Sequence, residues 1–284
     1  LTSTKVEVSP KNLKEILEDH HQAFQGFNQE DAHEFFMCIL ERIQSDLISS
    51  LDPTLITSLS PVENNFSGLF VYTYTCEQCS HQTQRTESFR EIGLAVPRDK
   101  LLGDRKLKRN ELLTISDLFN FHFSPHNIER RCAVCDFGFS TCQILMKQVP
   151  RVLCLQFKRF YHEFANNNVV IKKTSNQIKI EDELSVASAC ADNVILPSGV
   201  KELRPFGLKS FLNHRGTTIR RGHYTTCAKV DKVPDCNDKI SWKIINDTLT
   251  KSVEEDEVDA EIFRREHRRD IYLAFFELEN DNEG

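Results

Sequence analysis

The chain has 284 residues, 39% of them hydrophobic, and a formal net charge of −6. That length allows one large core or two smaller ones, and the acidic balance argues against a nucleic-acid binder, which presents a basic surface. No apolar run approaches the roughly 18 residues of a membrane span. No signal-peptide pattern is visible either, although a chain that opens on Leu1 rather than Met makes that second absence weak.

Ser9-Pro10 reads as a cap with proline at the first helical position, after which Leu13, Ile16, Leu17 and Phe24 recur at helical spacing. Gly26-Phe27-Asn28 ends that helix, and Asn28 is placed to cap the next. There Ala32, Phe35, Phe36, Ile39, Leu40, Ile43 and Leu47 mark an apolar stripe over about five turns. Beyond Pro53 the texture turns to β-branched and aromatic residues, with strands expected over Phe66–Thr75 and Arg85–Val96. Arg98–Asn110 reads as an exposed connection, and a short helix is expected over Ser116–Phe121. Strands follow over Cys142–Lys147 and Val152–Phe160, with loops at Asn166–Asn168 and Ser185–Val200. The last third reads as strands over Phe206–Asn213, His223–Asp231, Ile240–Ile245 and Ile271–Leu278, with an acidic loop or short helix over Glu254–Glu261. Helices, then a cysteine-bearing β region, then a mostly antiparallel region make an α+β pattern.

Of ten cysteines, four form the pairs Cys76-Glu77-Gln78-Cys79 and Cys132-Ala133-Val134-Cys135, while others sit in apolar runs such as Val152-Leu153-Cys154-Leu155. That usage fits a reduced, intracellular protein better than a disulfide framework. Two pairs on tight turns would supply the four soft thiolates of a closed, structural Zn²⁺ site, with His81 as a weaker substitute ligand. Two unrelated cysteine pairs are the plainer alternative.

Further motifs occur in a fixed order. Asn28-Gln29-Glu30-Asp31-Ala32-His33-Glu34-Phe35 resembles the glutamine-aspartate box of the ubiquitin-specific proteases, a family of papain-like cysteine proteases. Gly222-His223-Tyr224-Thr225-Thr226 resembles their histidine box, and His214-Arg215-Gly216 the His-x-Gly element ahead of it. Trp242-Lys243-Ile244-Ile245-Asn246-Asp247, Leu155-Gln156-Phe157-Lys158-Arg159-Phe160 and Ile271-Tyr272-Leu273-Ala274-Phe275-Phe276 are similar to further family strands. The resemblance runs from about Leu13 to Glu279.

It implies a thumb, palm and fingers architecture with a mostly antiparallel β palm and zinc-ribbon-like fingers. Residues 1–60 would be the remainder of the helical thumb, 61–150 the fingers, 151–279 the palm and 280–284 a tail. It makes His223 the base that takes a thiol proton, Asn246 its orienter and Asp247 an adjacent polar support. Asp31 and Glu34, sharing a helix face, would receive the arginines of ubiquitin's C-terminal tail. Gln29 would reach toward the cleft, Gly222 would let backbone and substrate approach, and Tyr224 joins the substrate-binding set. His33 is expected at the surface or in packing. The implied partners are ubiquitin and ubiquitinated proteins, with no nucleic acid or membrane, in cytoplasm, nucleus or both.

One element is missing. The family's cysteine box, with its nucleophile, lies upstream of the glutamine-aspartate box, where this chain has no cysteine. Three readings follow: part of an active deubiquitinase whose nucleophile lies outside this chain, an inactive ubiquitin-binding relative, or a zinc-stabilised interaction module. Under the first, part of the Ala32-Phe35-Ile39 stripe is expected to lie open.

Overall fold

In a computed structural model, residues 10–26, 28–50, 60–98, 101–103, 105–107, 112–165, 168–218, 221–230, 241–254 and 264–278 are described. The expected Ser9 cap, Asn166 and Asn167, residues 255–261 of the acidic stretch and the tail 280–284 lie outside them. Helix α1 (Lys11–His20) takes Pro10 as its N-cap residue, one position later than expected, and stops before Phe24. Phe24 belongs to a separate 3₁₀ turn and meets Phe35 edge-on at 5.5 Å. Helix α2 (Ala32–Ser50) is capped by Asp31 rather than Asn28, because Asp31 Oδ1 accepts the N–H groups of His33 and Glu34 at 2.9 and 3.0 Å. Leu17, Phe24 and Cys38 form a small core that half-buries Phe35 and Ile39. Ala32, Phe35 and Ile39 of the α2 stripe stay partly exposed, and on these two helices Leu13, Ile16, Ile43 and Ile48 are each at least 40% exposed. A third helix, α3 (Pro61–Phe66), starts where strand was expected to begin shortly after. Ser60 Oγ accepts from the Glu63 N–H, and Pro61 holds the first turn.

Two sheets follow. Strands β1 (Gly68–Cys76) and β2 (Gln82–Phe89) pair without a register break, then β3 (Ile92–Ala95) leaves for the second sheet. The two-residue strands β4 (Leu101–Leu102) and β5 (Arg105–Lys106) form a hairpin in the stretch read as an exposed connection; Leu102 and Leu107 are in fact buried. Strand β6 (Leu113–Thr114) leads into α4 (Ile115–His122), which Thr114 and Asp117 close with a reciprocal capping box. Strands β7 (His126–Glu129) and β8 (Phe139–Gln148) complete the first sheet with β14 (Cys190–Ile195). That last strand, in a stretch read as loop, lies parallel to β8.

The second sheet has eight strands. Strand β9 (Val152–Lys158) ends at Arg159, so the single strand expected to Phe160 is split, and β10 (Phe160–Ala165) forms a hairpin with β11 (Asn168–Lys173). The fully buried Arg159 guanidinium causes the break: it donates to the carbonyls of Ile271, Asn176 and Arg268 at 2.7, 2.9 and 3.0 Å. Burial pulls its pKa down to about 10. After β12 (Ile178–Lys179) and β13 (Glu183–Leu184) come β15 (Phe206–Thr218), β16 (Arg221–Val230), β17 (Ser241–Asn246), β18 (Leu249–Glu254) and β19 (Ile271–Glu277). The sheet runs β18-β17-β16-β15-β19-β9-β3, with β13 as the eighth strand paired to β15 off this path, and it is antiparallel except for β9 with β3. Phe157, Phe206, Phe211, Trp242 and Phe276 fill the main core together with α4. The architecture is α+β with mostly antiparallel sheets, as expected.

Candidate active site and metal centre

The tip of the first sheet is built from two matching turns. In one, Cys76 N–H donates to His81 O and Ser80 N–H to Cys76 O; in the other, Cys132 N–H donates to Phe137 O and Asp136 N–H to Cys132 O. Ser80 and Asp136 close them in the left-handed region, at φ 57° and 56°. The repeated geometry turns two thiols of each Cys-x-x-Cys toward the other pair. All four sulfurs lie within 4.8 Å of one another, with Cys76–Cys135 and Cys79–Cys132 each at 3.6 Å. A tetrahedral zinc with sulfur ligands at about 2.3 Å needs sulfurs about 3.8 Å apart, so the cluster has the right size. The N–H groups of Cys135 and Val134 aim at Cys132 Sγ and lower its pKa, whereas burial and the neighbouring thiols raise Cys135, so the four sulfurs share their protons as one group when no metal is bound. His81 contributes its carbonyl to the turn and is outside the thiol cluster.

In the second sheet, the antiparallel pairing of β16 with β17 sets His223 and Asn246 on one face. His223 Nε2 meets Asn246 Oδ1 at 2.5 Å. An amide oxygen only accepts, so the contact holds the proton on Nε2 and leaves the lone pair on Nδ1. His223 is exposed. Asp247, also exposed, opens the two-residue turn to β18 with φ 52° and lines the same cleft as His223.

Segment 28–32 packs against this strand. Gln29 Oε1 accepts the Gly222 N–H at 2.9 Å, and Tyr224 Oη accepts the Ala32 N–H at 3.4 Å. Asp31 is buried, and its second oxygen accepts the hydroxyl of Tyr272. It is therefore not on the α2 face with Glu34, as the sequence suggested, but at the cap; Glu34 is exposed. Burial raises the Tyr224 phenol to about 12 and keeps it neutral. Gln29, Glu30, His214, Gly222, His223, Tyr224 and Asp247 line a cleft of about 220 Å³.

The close approach that Gly222 permits is to His214. A Cβ on Gly222 would lie 2.1 Å from His214 Nε2, and one on Gly216 3.1 Å from His214 Cε1. The His-x-Gly element is thus a packing device, with the ring fully buried and wedged between two glycines. Sequence reasoning missed Tyr272 as the partner of Asp31 and Glu91 as the partner of His33 Nε2. The closing strand pointed to Tyr272, whereas nothing local marks Glu91. Cys227, four residues after His223, points inward to His267 at 3.8 Å, and burial raises its pKa to about 12.

The family profile described as ubiquitin carboxyl-terminal hydrolase matches residues 1–275. Ubiquitin carboxyl-terminal hydrolase 36 of Drosophila erecta is 26% identical over 72% of this chain and 17% of its own length. Ubiquitin carboxyl-terminal hydrolase 9 of Saccharomyces cerevisiae is 24% identical over 98% of this chain and 35% of its own length. The chain therefore spans about a third or less of these relatives. Among solved structures, the Ubp8 chain of the SAGA DUB module bound to monoubiquitin superposes with a TM-score of 0.72 at 20% identity, covering 95% of this chain and 53% of that one. The same module bound to ubiquitin aldehyde gives 0.71. By its fold, its ordered motifs and this profile, the chain belongs to the ubiquitin carboxyl-terminal hydrolase family as a ubiquitin-specific protease catalytic domain.

Proposed function

We propose that the chain supplies the base, its orienter and part of the ubiquitin-tail wall of a thiol-dependent deubiquitinase that hydrolyses (iso)peptide bonds at the ubiquitin C-terminus. The observation that carries this reading is the His223–Asn246 contact at the mouth of a cleft that segment 29–30 also borders. With its Nε2 proton committed to Asn246, His223 takes a thiol proton on Nδ1 and later returns it to the leaving amine. Asp247 supports the Asn246 turn. Glu34 offers an exposed carboxylate, and Asp31 the spare lone pairs of a buried one, to the cationic tail of ubiquitin.

We assign the attacking thiol to a residue that completes the site from outside the described cysteines. Four of those are gathered in the metal cluster, and burial raises the pKa of Cys38, Cys142, Cys154, Cys190 and Cys227. Zn²⁺ held by Cys76, Cys79, Cys132 and Cys135 would have no open position and would serve to pin the two turns together. Free thiols suit a reducing compartment, so we place the protein in cytoplasm or nucleus, acting on ubiquitinated proteins. The test is turnover of a fluorogenic ubiquitin C-terminal amide by the protein that carries this chain. His223→Ala should lower kcat at least about 100-fold while ubiquitin affinity holds. Unchanged turnover would overturn the base assignment, and ubiquitin binding without turnover in the unaltered protein would favour an inactive binder.

A further inference from the structure

We propose that Gln29 and Tyr224 are positioning residues that fasten the strand on both sides of His223, rather than groups that touch substrate. The inference rests on the reading of His223 as the base. The β15–β16 ladder passes from Arg215↔His223 directly to Thr218↔Arg221, with a register shift between. Gly222 is skipped in this pairing, and its N–H turns to the Gln29 side chain instead of the neighbouring strand. It also has no side chain, because the buried His214 ring occupies the space a Cβ would need. The residue that introduces His223 therefore lacks both ordinary means of being held in a sheet. Its N–H donates to Gln29 Oε1 at 2.9 Å.

On the other side, Tyr224 accepts the N–H of Ala32, one of the donors that the first turn of α2 leaves without an intrahelical partner. The fastening run is itself anchored, since Asp31 caps α2 with one oxygen and takes the Tyr272 hydroxyl with the other. Strand β19 thus holds Asp31, segment 29–32 holds Gly222 and Tyr224, and these bracket an exposed imidazole whose recorded hydrogen bond is to Asn246. His223 itself is paired with Arg215 in the ladder, and Gln29 holds the skipped residue before it, which sets the direction in which the strand presents the imidazole.

The chain labelled on histidine and backbone nitrogen tests this by NMR, in parallel with a ubiquitin titration. Gln29→Met keeps the length but removes the acceptor, and Gln29→Glu keeps an acceptor. The expected result for Gln29→Met is Gly222 amide exchange roughly fivefold to tenfold faster, the size of one net hydrogen bond. The His223 ring should also lose its single tautomer. Gln29→Glu should restore Gly222 protection and the tautomer. Tyr224→Phe should expose the Ala32 amide to exchange in the same way. The proposal is overturned if Gln29→Met leaves Gly222 exchange and the His223 signals unchanged, whether or not ubiquitin affinity falls. A wild-type His223 with no fixed tautomer would instead sink the base reading, and Gly222 exchange would still decide the fastening.

Discussion

The cysteine tip of the first sheet and the histidine cleft of the second solve the same problem, holding a few side chains in one geometry, by opposite means. Each half of the tip is a six-residue turn that closes on itself, with identical backbone bonds in both copies. The cleft is assembled from segments far apart in the chain: an entry to α2, the start of β16 and the end of β17. Local turns can form without the rest of the fold, and a metal on the four thiols would hold them together. A cleft drawn from remote segments needs no metal, only a finished sheet and cross-links such as Asp31–Tyr272. The difference teaches where each region is vulnerable.

The largest effect separating the two regions should come from metal. Chelation, or Cys132→Ser, should unfold the tip and lower the melting temperature by roughly 10 °C or more, since structural zinc contributes folding free energy directly. Calorimetry with metal analysis reads this. Survival of the fixed His223 tautomer in the metal-free protein would sharpen the contrast, whereas its loss would show that tip and cleft are one cooperative unit.

Asp31→Ala should act in the reverse sense. It removes the α2 cap and strands the Tyr272 hydroxyl, for a combined cost of about 3 kcal/mol in denaturant unfolding. Ubiquitin affinity should fall as well, so stability and binding are lost together rather than binding alone. The four-thiol site should keep its metal.

A smaller effect is pH. Burial pulls the His267 imidazole down to about 4, below the ordinary unfolded value near 6.5. Between those values the unfolded chain binds more protons than the folded one, so stability rises with pH there and is lost as pH falls from about 6.5 toward 4. The loss should approach 2–3 kcal/mol at pH 4, on the order given by one displaced imidazole. Urea midpoints across that range measure it, and His267→Gln should flatten the slope. Because His267 packs on Phe211 in the second sheet, the acid sensitivity should appear there before it appears at the tip.

How much of this was legible in the sequence follows the same division. The two Cys-x-x-Cys turns and the periodic helix α2 carry local signals, and both were read from residue spacing alone. The His223–Asn246 pairing was reached through ordered motifs, since no local pattern states that β16 and β17 are neighbours. What escaped was decided by tertiary competition. Asn28 is a good cap by type, but Asp31 takes the role because Tyr272 fixes its other oxygen. Val152–Phe160 has one apolar texture, yet it breaks at Arg159, whose guanidinium must reach three carbonyls from distant segments. Ser60-Pro61-Val62-Glu63 carries a local cap signature, although the short helix it starts gives way after Phe66 to the β-rich stretch that follows.

The place of β19 in its sheet bears on how the protein is made. The last of the described strands, β19, lies between β15 and β9, near the middle of the eight. Until Ile271–Glu277 leaves the ribosome, β15 and β9 each present an unpaired edge, and neither can be closed by anything synthesised earlier. Between the synthesis of β15 and that of β19 the nascent polypeptide thus carries two sticky borders, an interval in which chaperone shelter or fast release decides between folding and aggregation.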